Sequence, residues 1–143
     1  MTTKRNDPIR PGKPLPLGAS PRDKGTLFSV FSRHATSVSL LLFENPEDRE
    51  PMEELVFDPK INRTGDIWHA FIPGVTSGAF YLYRVDGPFE PERGHRFNPN
   101  KVLIDPYAKA LTGSFRWRLD EALGWDPYSP DKDLSLNPSF DPS

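Results

Sequence analysis

Residues 67–85 read IWHAFIPGVTSGAFYLYRV and contain two short segments rich in β-branched and aromatic residues. Pro-Gly at 73–74 and Ser-Gly at 77–78 separate the two segments, and both dipeptides are typical of turns. This pattern predicts two antiparallel β-strands, over 67–72 and 80–85. Alternation along a strand places together Trp68, Ala70 and Ile72 in the first and Tyr81, Tyr83 and Val85 in the second. The opposite faces also carry apolar residues, so alternation leaves open which face is buried.

Three further strand-like segments precede this pair, at 26–32, 38–43 and 54–57. Five short strands at fairly regular intervals, with no long helical period between them, predict an all-β fold of the antiparallel β-sandwich type. Residues 1–25 are rich in proline and glycine and are predicted to form an extended N-terminal arm. The sandwich is expected over 26–112. Residues 113–143 are predicted to be an irregular tail or linker, with a short helical turn near 119–123.

Composition limits the possible functions. The chain has 143 residues, which suits one domain and is too short for a (β/α)8 barrel of about 250 residues. A net charge of -2 argues against a nucleic-acid partner, and the chain has no cysteine for disulfide or thiolate chemistry. No apolar run approaches a membrane span, and the N-terminus has no signal-peptide pattern. We expect a cytoplasmic protein with no membrane partner.

The sequence contains no recognisable catalytic pattern. His34, His69 and His95 lack metal-ligand spacing, so no metal site and no cofactor are predicted. The acidic pairs at 47–48, 53–54 and 90–92 lie in charged, proline-flanked turns and are interpreted as solvated loops rather than as a glycosidase pair. We therefore predict no catalytic residue in this chain.

Aromatic residues are the remaining candidates for binding. An exposed aromatic ring can pack on the apolar face of a sugar while nearby polar groups bind the hydroxyls. The weak carbohydrate-binding candidates are Phe89, Tyr81, Tyr83 and Trp68. A sandwich normally buries a tryptophan, so a core position is the favoured alternative for Trp68, and also for the two tyrosines. For Phe89, which follows the strand, both interpretations remain open.

Two stretches of the sequence closely resemble a known protein family. Residues 65–111, GDIWHAFIPGVTSGAFYLYRVDGPFEPERGHRFNPNKVLIDPYAKAL, and residues 12–44, GKPLPLGASPRDKGTLFSVFSRHATSVSLLLFE, are similar to the N-terminal domain of glycogen debranching enzymes and isoamylases of the α-amylase superfamily. The motifs YRVDGP and RFNPNKVLIDPYA are the most specific. The resemblance spans about residues 12–117. It implies an immunoglobulin-like β-sandwich of the early-set type, classed with carbohydrate-binding module family 48.

The resemblance also implies a partner. In full-length members this sandwich precedes a (β/α)8 catalytic barrel that cleaves α-1,6 branch linkages of glycogen, and the barrel carries the catalytic carboxylates. The chain is thus expected to be a non-catalytic module that supports a glycosidase barrel in cis. Residues 89–111 are interpreted mainly as a docking surface, with Asp105-Pro106-Tyr107 forming a corner toward the barrel. The docking candidates are Arg84, Arg96, Phe97, Asn98, Asp105 and Tyr107.

Related glycogen-binding modules of kinase regulatory subunits bind the sugar with two tryptophans and a lysine around the equivalent hairpin. When the sequences are aligned on the shared VDG motif, Phe89 takes the position of one tryptophan and Leu82 that of the lysine. Loop 44–51, near the position of the other tryptophan, contains no aromatic residue. The resemblance therefore implies weak or absent affinity for α-glucan or glycogen by the chain alone. A stand-alone glucan-binding module and a protein-interaction sandwich remain as alternatives.

Overall fold

A computed structural model describes residues 9–45, 48–76, 79–108 and 130 of this chain. The elements formed by these residues are, in order, β1 (Gly18–Arg22), β2 (Gly25–Phe31), β3 (Ser37–Phe43), β4 (Glu53–Val56), β5 (Arg63–Thr64), β6 (Ile67–Pro73), β7 (Phe80–Asp86), β8 (Phe89–Glu90), a 3-10 helix (Pro91–Arg93), β9 (His95–Arg96) and β10 (Val102–Leu103). Strands β2, β3, β4, β6 and β7 correspond to the five predicted segments. The predicted tail and its helical turn lie outside the described residues, except residue 130.

The strands form two four-stranded antiparallel sheets and a two-stranded ribbon within the described residues. The first sheet has the order β1-β2-β6-β5, the second has the order β10-β7-β3-β4, and β8 pairs with β9 in the ribbon. Strand β3 pairs with β7 rather than with its neighbour β2, so the chain crosses from one sheet to the other between β2 and β3. The predicted all-β sandwich is confirmed.

The core lies between the two sheets and settles which face of each strand is buried. Strand β6 contributes Trp68, Ala70 and Ile72, and β2 contributes Phe28. The facing side chains of the second sheet include Val38, Leu40, Leu42, Leu55, Tyr83 and Val85. Interlocking side chains from two inner faces are the usual core of a sandwich.

The N-terminal arm lies against the first sheet. The backbones of Arg10 and Phe71 exchange hydrogen bonds of 3.2 and 2.9 Å, and the Gly12 N–H donates to His69 Nδ1 at 3.1 Å. The Ser29 hydroxyl donates to the Pro14 carbonyl at 2.6 Å. Because Ser29 and His69 face away from the core, the arm covers the outer face of this sheet.

Strand β1 was not predicted. It occupies residues 18–22, inside the segment interpreted as an extended arm, and pairs with β2 from Gly18 opposite Ser29 to Arg22 opposite Gly25. Gly18 and Pro21 weaken its strand pattern, because glycine and proline are depleted in strands. Proline is tolerated here because β1 is the edge strand of its sheet.

Candidate functional site

Two of the four carbohydrate-binding candidates lie in the core. Trp68 is 0% exposed and Tyr83 is 1% exposed. Trp68 sits on the inner face of β6, where its indole Nε1–H donates to the Ser32 carbonyl at 3.2 Å. Neither ring can stack on a sugar in this structure, so the core interpretation weighed for both residues holds.

Tyr81 is held by its neighbours rather than presented to solvent. Its ring makes edge contacts with Phe28 and Tyr83, at centroid distances of 5.0 and 5.9 Å. Its hydroxyl donates to Asp105 Oδ2 at 2.8 Å. Burial raises the pKa of Tyr81 above its ordinary value, and the hydrogen bond to Asp105 and the charge of that carboxylate raise it further. Tyr81 therefore acts as a permanent donor that anchors Asp105.

Asp105 is the centre of the corner at which the described domain ends. It is 3% exposed, and its Oδ1 accepts the Tyr107 N–H at 2.9 Å while its carbonyl accepts the Ala108 N–H at 3.0 Å. Gly18 of β1 packs on this corner, since a Cβ at that position would lie 3.0 Å from the Tyr107 carbonyl oxygen. The corner is thus fixed to both sheets, to β7 through Tyr81 and to β1 through Gly18.

Replacing Tyr81 with phenylalanine should loosen this corner. The change removes one donor from a buried carboxylate, which we expect to lower the unfolding free energy by about 1–2 kcal/mol. Hydrogen exchange should become faster at the Tyr107 amide, which Asp105 orders. Tyr107→Phe is the matched control, because the Tyr107 side chain is exposed, and it should leave stability and exchange unchanged. Equal stability of Tyr81→Phe and wild type would contradict the proposed anchor.

Phe89 lies on the β8–β9 ribbon and is half-buried. It pairs with Arg96, which is exposed, and Glu90 pairs with His95. The ribbon is held against the sandwich by Phe97, whose ring packs on Gly87 so closely that a Cβ there would lie 2.7–2.9 Å from ring atoms. Among the four predicted stacking residues, Trp68 and Tyr83 are buried, and Tyr81 is engaged in a hydrogen bond to Asp105. Phe89 is half-buried, and its apolar side chain makes no hydrogen bond.

The predicted docking residues do not form one exposed surface. Asn98 is buried and organises a turn, with its Oδ1 accepting the Asn100 N–H at 2.9 Å. Arg84 bonds both oxygens of Glu54 at 3.1 Å, on the second sheet. The structure leaves Arg96 and Tyr107 exposed, while Phe97 is half-buried and Asp105 buried. Most of this set therefore shapes the fold.

Arg63 has a role that the sequence did not reveal. Arg63 begins strand β5, and its guanidinium donates to the Gly65 and Arg33 carbonyls at 2.9 Å each and to the Ala35 carbonyl at 3.4 Å. It also lies 4.9 Å from the centre of the Trp68 ring. Arg63 therefore ties the β2–β3 turn to the β5–β6 hairpin.

His69 links the arm to the first sheet through both ring nitrogens. Nδ1 accepts the Gly12 N–H, so the neutral ring carries its proton on Nε2 and donates it to Thr64 Oγ1 at 2.7 Å. The ring is 4% exposed, and this burial lowers the pKa of His69 below its ordinary value of 6.5. Protonation would remove the acceptor that holds Gly12.

The lowered pKa of His69 predicts a loss of stability in acid. Above about pH 6.5 the ring is neutral in both the folded and unfolded states. As the pH falls below this value the unfolded state binds the proton first, so the unfolding free energy should decrease. Urea unfolding from pH 8 to 5 should show a shallower pH dependence for His69→Gln than for wild type. Parallel curves for the two proteins would contradict this account.

Metal and membrane chemistry receive no support from the described part of the chain. Those residues contain no group of three or more histidine, cysteine or acidic residues placed to hold a metal ion. They also contain no helix long and apolar enough to cross a bilayer.

Comparison with known proteins identifies the family. The profile described as carbohydrate-binding module 48 (isoamylase N-terminal domain) matches residues 16–108. The chain belongs to this family. The match ends at Ala108, immediately after the Asp105 corner, and omits the part of the arm that precedes Pro16.

Curated relatives of this module are much longer proteins. The chain is 52% identical over 102 residues to a glycogen debranching enzyme of Yersinia pestis bv. Antiqua (strain Angola), covering 71% of the chain and 14% of that protein. It is 47% identical over 118 residues to the glycogen debranching enzyme of Yersinia enterocolitica, covering 81% of the chain and 15% of that protein. The chain thus spans about a seventh of the length of these relatives.

Solved structures of two pullulanases contain a domain with the fold of this module. A pullulanase from Paenibacillus barengoltzii complexed with maltotriose matches 68% of the chain and 13% of its own chain, with 26% identity and a TM-score of 0.54. The pullulanase from Bacillus acidopullulyticus, at 23% identity, matches 67% of the chain and 10% of its own with a TM-score of 0.55, which supports the fold alone.

Proposed function

We propose that this chain is the non-catalytic N-terminal module of a glycoside hydrolase that cleaves α-1,6 branch linkages of glycogen or a related α-glucan. The observation that carries the proposal is the match at 52% identity to glycogen debranching enzymes of which the chain covers 14%. The catalytic barrel in cis would be the partner of the module, and the enzyme would act in the cytoplasm.

The site geometry is consistent with a supporting role. Asp105 is the buried carboxylate among the described residues, and both of its side-chain oxygens accept hydrogen bonds from within the domain. A carboxylate tied in this way organises the fold rather than attacking a substrate. The Asp105 corner fixes the direction in which the chain leaves the sandwich, and that direction would set the position of the following domain.

The reading frame beyond codon 143 tests the proposal directly. We expect it to continue into a glycosidase domain, and the full-length protein to release branches from glycogen. The purified 143-residue chain should show no such activity. A frame that ends without a glycosidase domain, or debranching activity intact in the purified short chain, would overturn the proposal.

Glucan binding by the chain itself is a second candidate, favoured by the partly exposed ring of Phe89 on the β8–β9 ribbon. We expect weak binding, because Trp68 and Tyr83 are buried and the Tyr81 hydroxyl is bonded to Asp105. Stacking of one ring supplies only about 1 kcal/mol.

Affinity electrophoresis in gels that contain glycogen measures this contribution. Wild type should migrate slightly more slowly than in a plain gel, and Phe89→Ala should lose this retardation. Phe31→Ala removes a phenylalanine that is exposed and distant from the ribbon in sequence, and it should not change migration. Unretarded wild type would remove the second candidate, and retardation that persists in Phe89→Ala would remove Phe89 as the stacking residue.

A further inference from the structure

Residues 10–14 of the N-terminal arm cover two polar residues of the first sheet. Ser29 and His69 lie opposite each other on β2 and β6, on the outer face of the sheet, because opposite residues of antiparallel strands share a face. Both are nevertheless buried, and the arm bonds both of them. A Cβ at Gly12 would lie 2.8–3.0 Å from backbone atoms of Ala70, so the arm is in close contact with β6 at this point.

The His69 ring is the contact between the arm and the sheet that can change its hydrogen-bonding character. Its two nitrogens bond neutral groups, the Gly12 N–H and the Thr64 hydroxyl. A protonated imidazole carries a hydrogen on each nitrogen. The bond from Nε2 to Thr64 would survive protonation, but Nδ1 would then direct a hydrogen at the Gly12 N–H. Two buried donors that face each other leave both without an acceptor, which is unfavourable.

The charged side chains around His69 do not compensate an added positive charge. The segments packed against the ring carry Arg10 and Lys13 on the arm, Asp58 and Lys60 in the loop before β5, Arg63 on β5, and Asp66 in the β5–β6 turn. Each of the two carboxylates is engaged elsewhere, Asp58 with the Lys60 N–H and Asp66 with Arg33. An imidazolium at position 69 would therefore regain favourable surroundings only by contact with water.

We infer that His69 controls the docking of the N-terminal arm by pH: the neutral ring holds residues 10–14 on the first sheet, and protonation releases them while the sandwich stays folded. The buried members of the core cluster include no residue of the arm, so the core does not depend on its docking. The inference goes beyond the proposed function and does not depend on it, because every contact involved lies within the module.

Release of the arm would open one edge of the first sheet. The backbone of Phe71 on β6 exchanges hydrogen bonds with Arg10, and these bonds would be lost when the arm leaves. An unpaired strand edge is a surface to which another extended segment can bind. Acid would thus convert a closed edge of the module into an open one.

Amide hydrogen exchange at about pH 7.5 and about pH 5 tests this control. The protection factor is the intrinsic exchange rate at each pH divided by the observed rate. Because docking excludes the proton, the released population should rise by up to about tenfold for each pH unit below about 6.5. Protection of the Gly12 and Phe71 amides should therefore fall about tenfold or more between the two conditions.

The Phe57 amide reports unfolding of the whole domain, since it bonds the Val38 carbonyl in the second sheet at 2.9 Å. It should stay at least about tenfold better protected than the Gly12 amide at both pH values, because local opening requires less free energy than global unfolding. Equal protection of the Gly12 and Phe57 amides would mean that the arm leaves only when the domain unfolds, and it would overturn the inference.

Two variants separate His69 from other titrating groups. His69→Gln keeps a side-chain acceptor and donor but does not titrate, so its Gly12 protection should be nearly the same at the two pH values. Ser29→Ala is the matched control, because it removes only the bond to the Pro14 carbonyl. It should lower Gly12 protection at both pH values and leave the ratio between them as in wild type. An equal fall in wild type and His69→Gln, or no fall in wild type, would contradict control by His69.

Discussion

Replacing Trp68 with alanine is expected to lower the unfolding free energy of the domain by about 3–5 kcal/mol, the usual cost of truncating a large buried aromatic side chain. Trp68 is 0% exposed and belongs to the cluster that joins the two sheets. Its loss would leave a cavity, free the Ser32 carbonyl from the indole N–H and remove the ring beneath Arg63. Urea unfolding followed by circular dichroism measures the change.

Trp68→Phe separates these contributions. Phenylalanine keeps an apolar ring in the core but lacks the indole N–H, so we expect a smaller loss than with alanine. Phe31→Ala, at an exposed aromatic position, should change stability by no more than about 0.5 kcal/mol. A stable Trp68→Ala protein that had lost glucan affinity would show that Trp68 binds ligand, contrary to its position in this structure.

The strands could be predicted because their signal is local. Segments such as 67–72 and 80–85 combine apolar and aromatic residues with flanking turn dipeptides. The buried face could not be predicted for β7, because Tyr81 and Tyr83 lie on one side of it and Phe80 and Leu82 on the other. Only the pairing of β7 with β3 and the packing of the two sheets settles that choice.

The candidate site was harder to predict than the fold. Trp68 and Phe89 are both aromatic, and the sequence favoured the core for Trp68 but left Phe89 open. Whether a ring is exposed depends on where its strand lies in a sheet, which is a long-range property. A long-range property can also leave a local trace: residues 37–43, SVSLLLF, place leucine on both faces of β3, as expected of a strand that is buried on both sides.

Replacing Arg63 with alanine is expected to lower the unfolding free energy by about 3 kcal/mol. The two 2.9 Å bonds to the Gly65 and Arg33 carbonyls should contribute about 1 kcal/mol each, and the cation over the Trp68 ring about 1 kcal/mol more. Arg63→Lys keeps the charge but not the fork of donors, so it should recover only part of the loss. Full recovery with lysine would show that charge alone matters.

A double-mutant cycle tests whether Arg63 and Trp68 act as one unit. If the guanidinium stabilises the fold partly through the ring, the combined loss in Arg63→Ala with Trp68→Ala will be smaller than the sum of the two single losses, by about 1 kcal/mol. Strictly additive losses would mean that Arg63 acts through the carbonyls of Gly65, Arg33 and Ala35 alone. The cycle thus measures how much of the tie between the β2–β3 turn and the β5–β6 hairpin passes through the Trp68 ring.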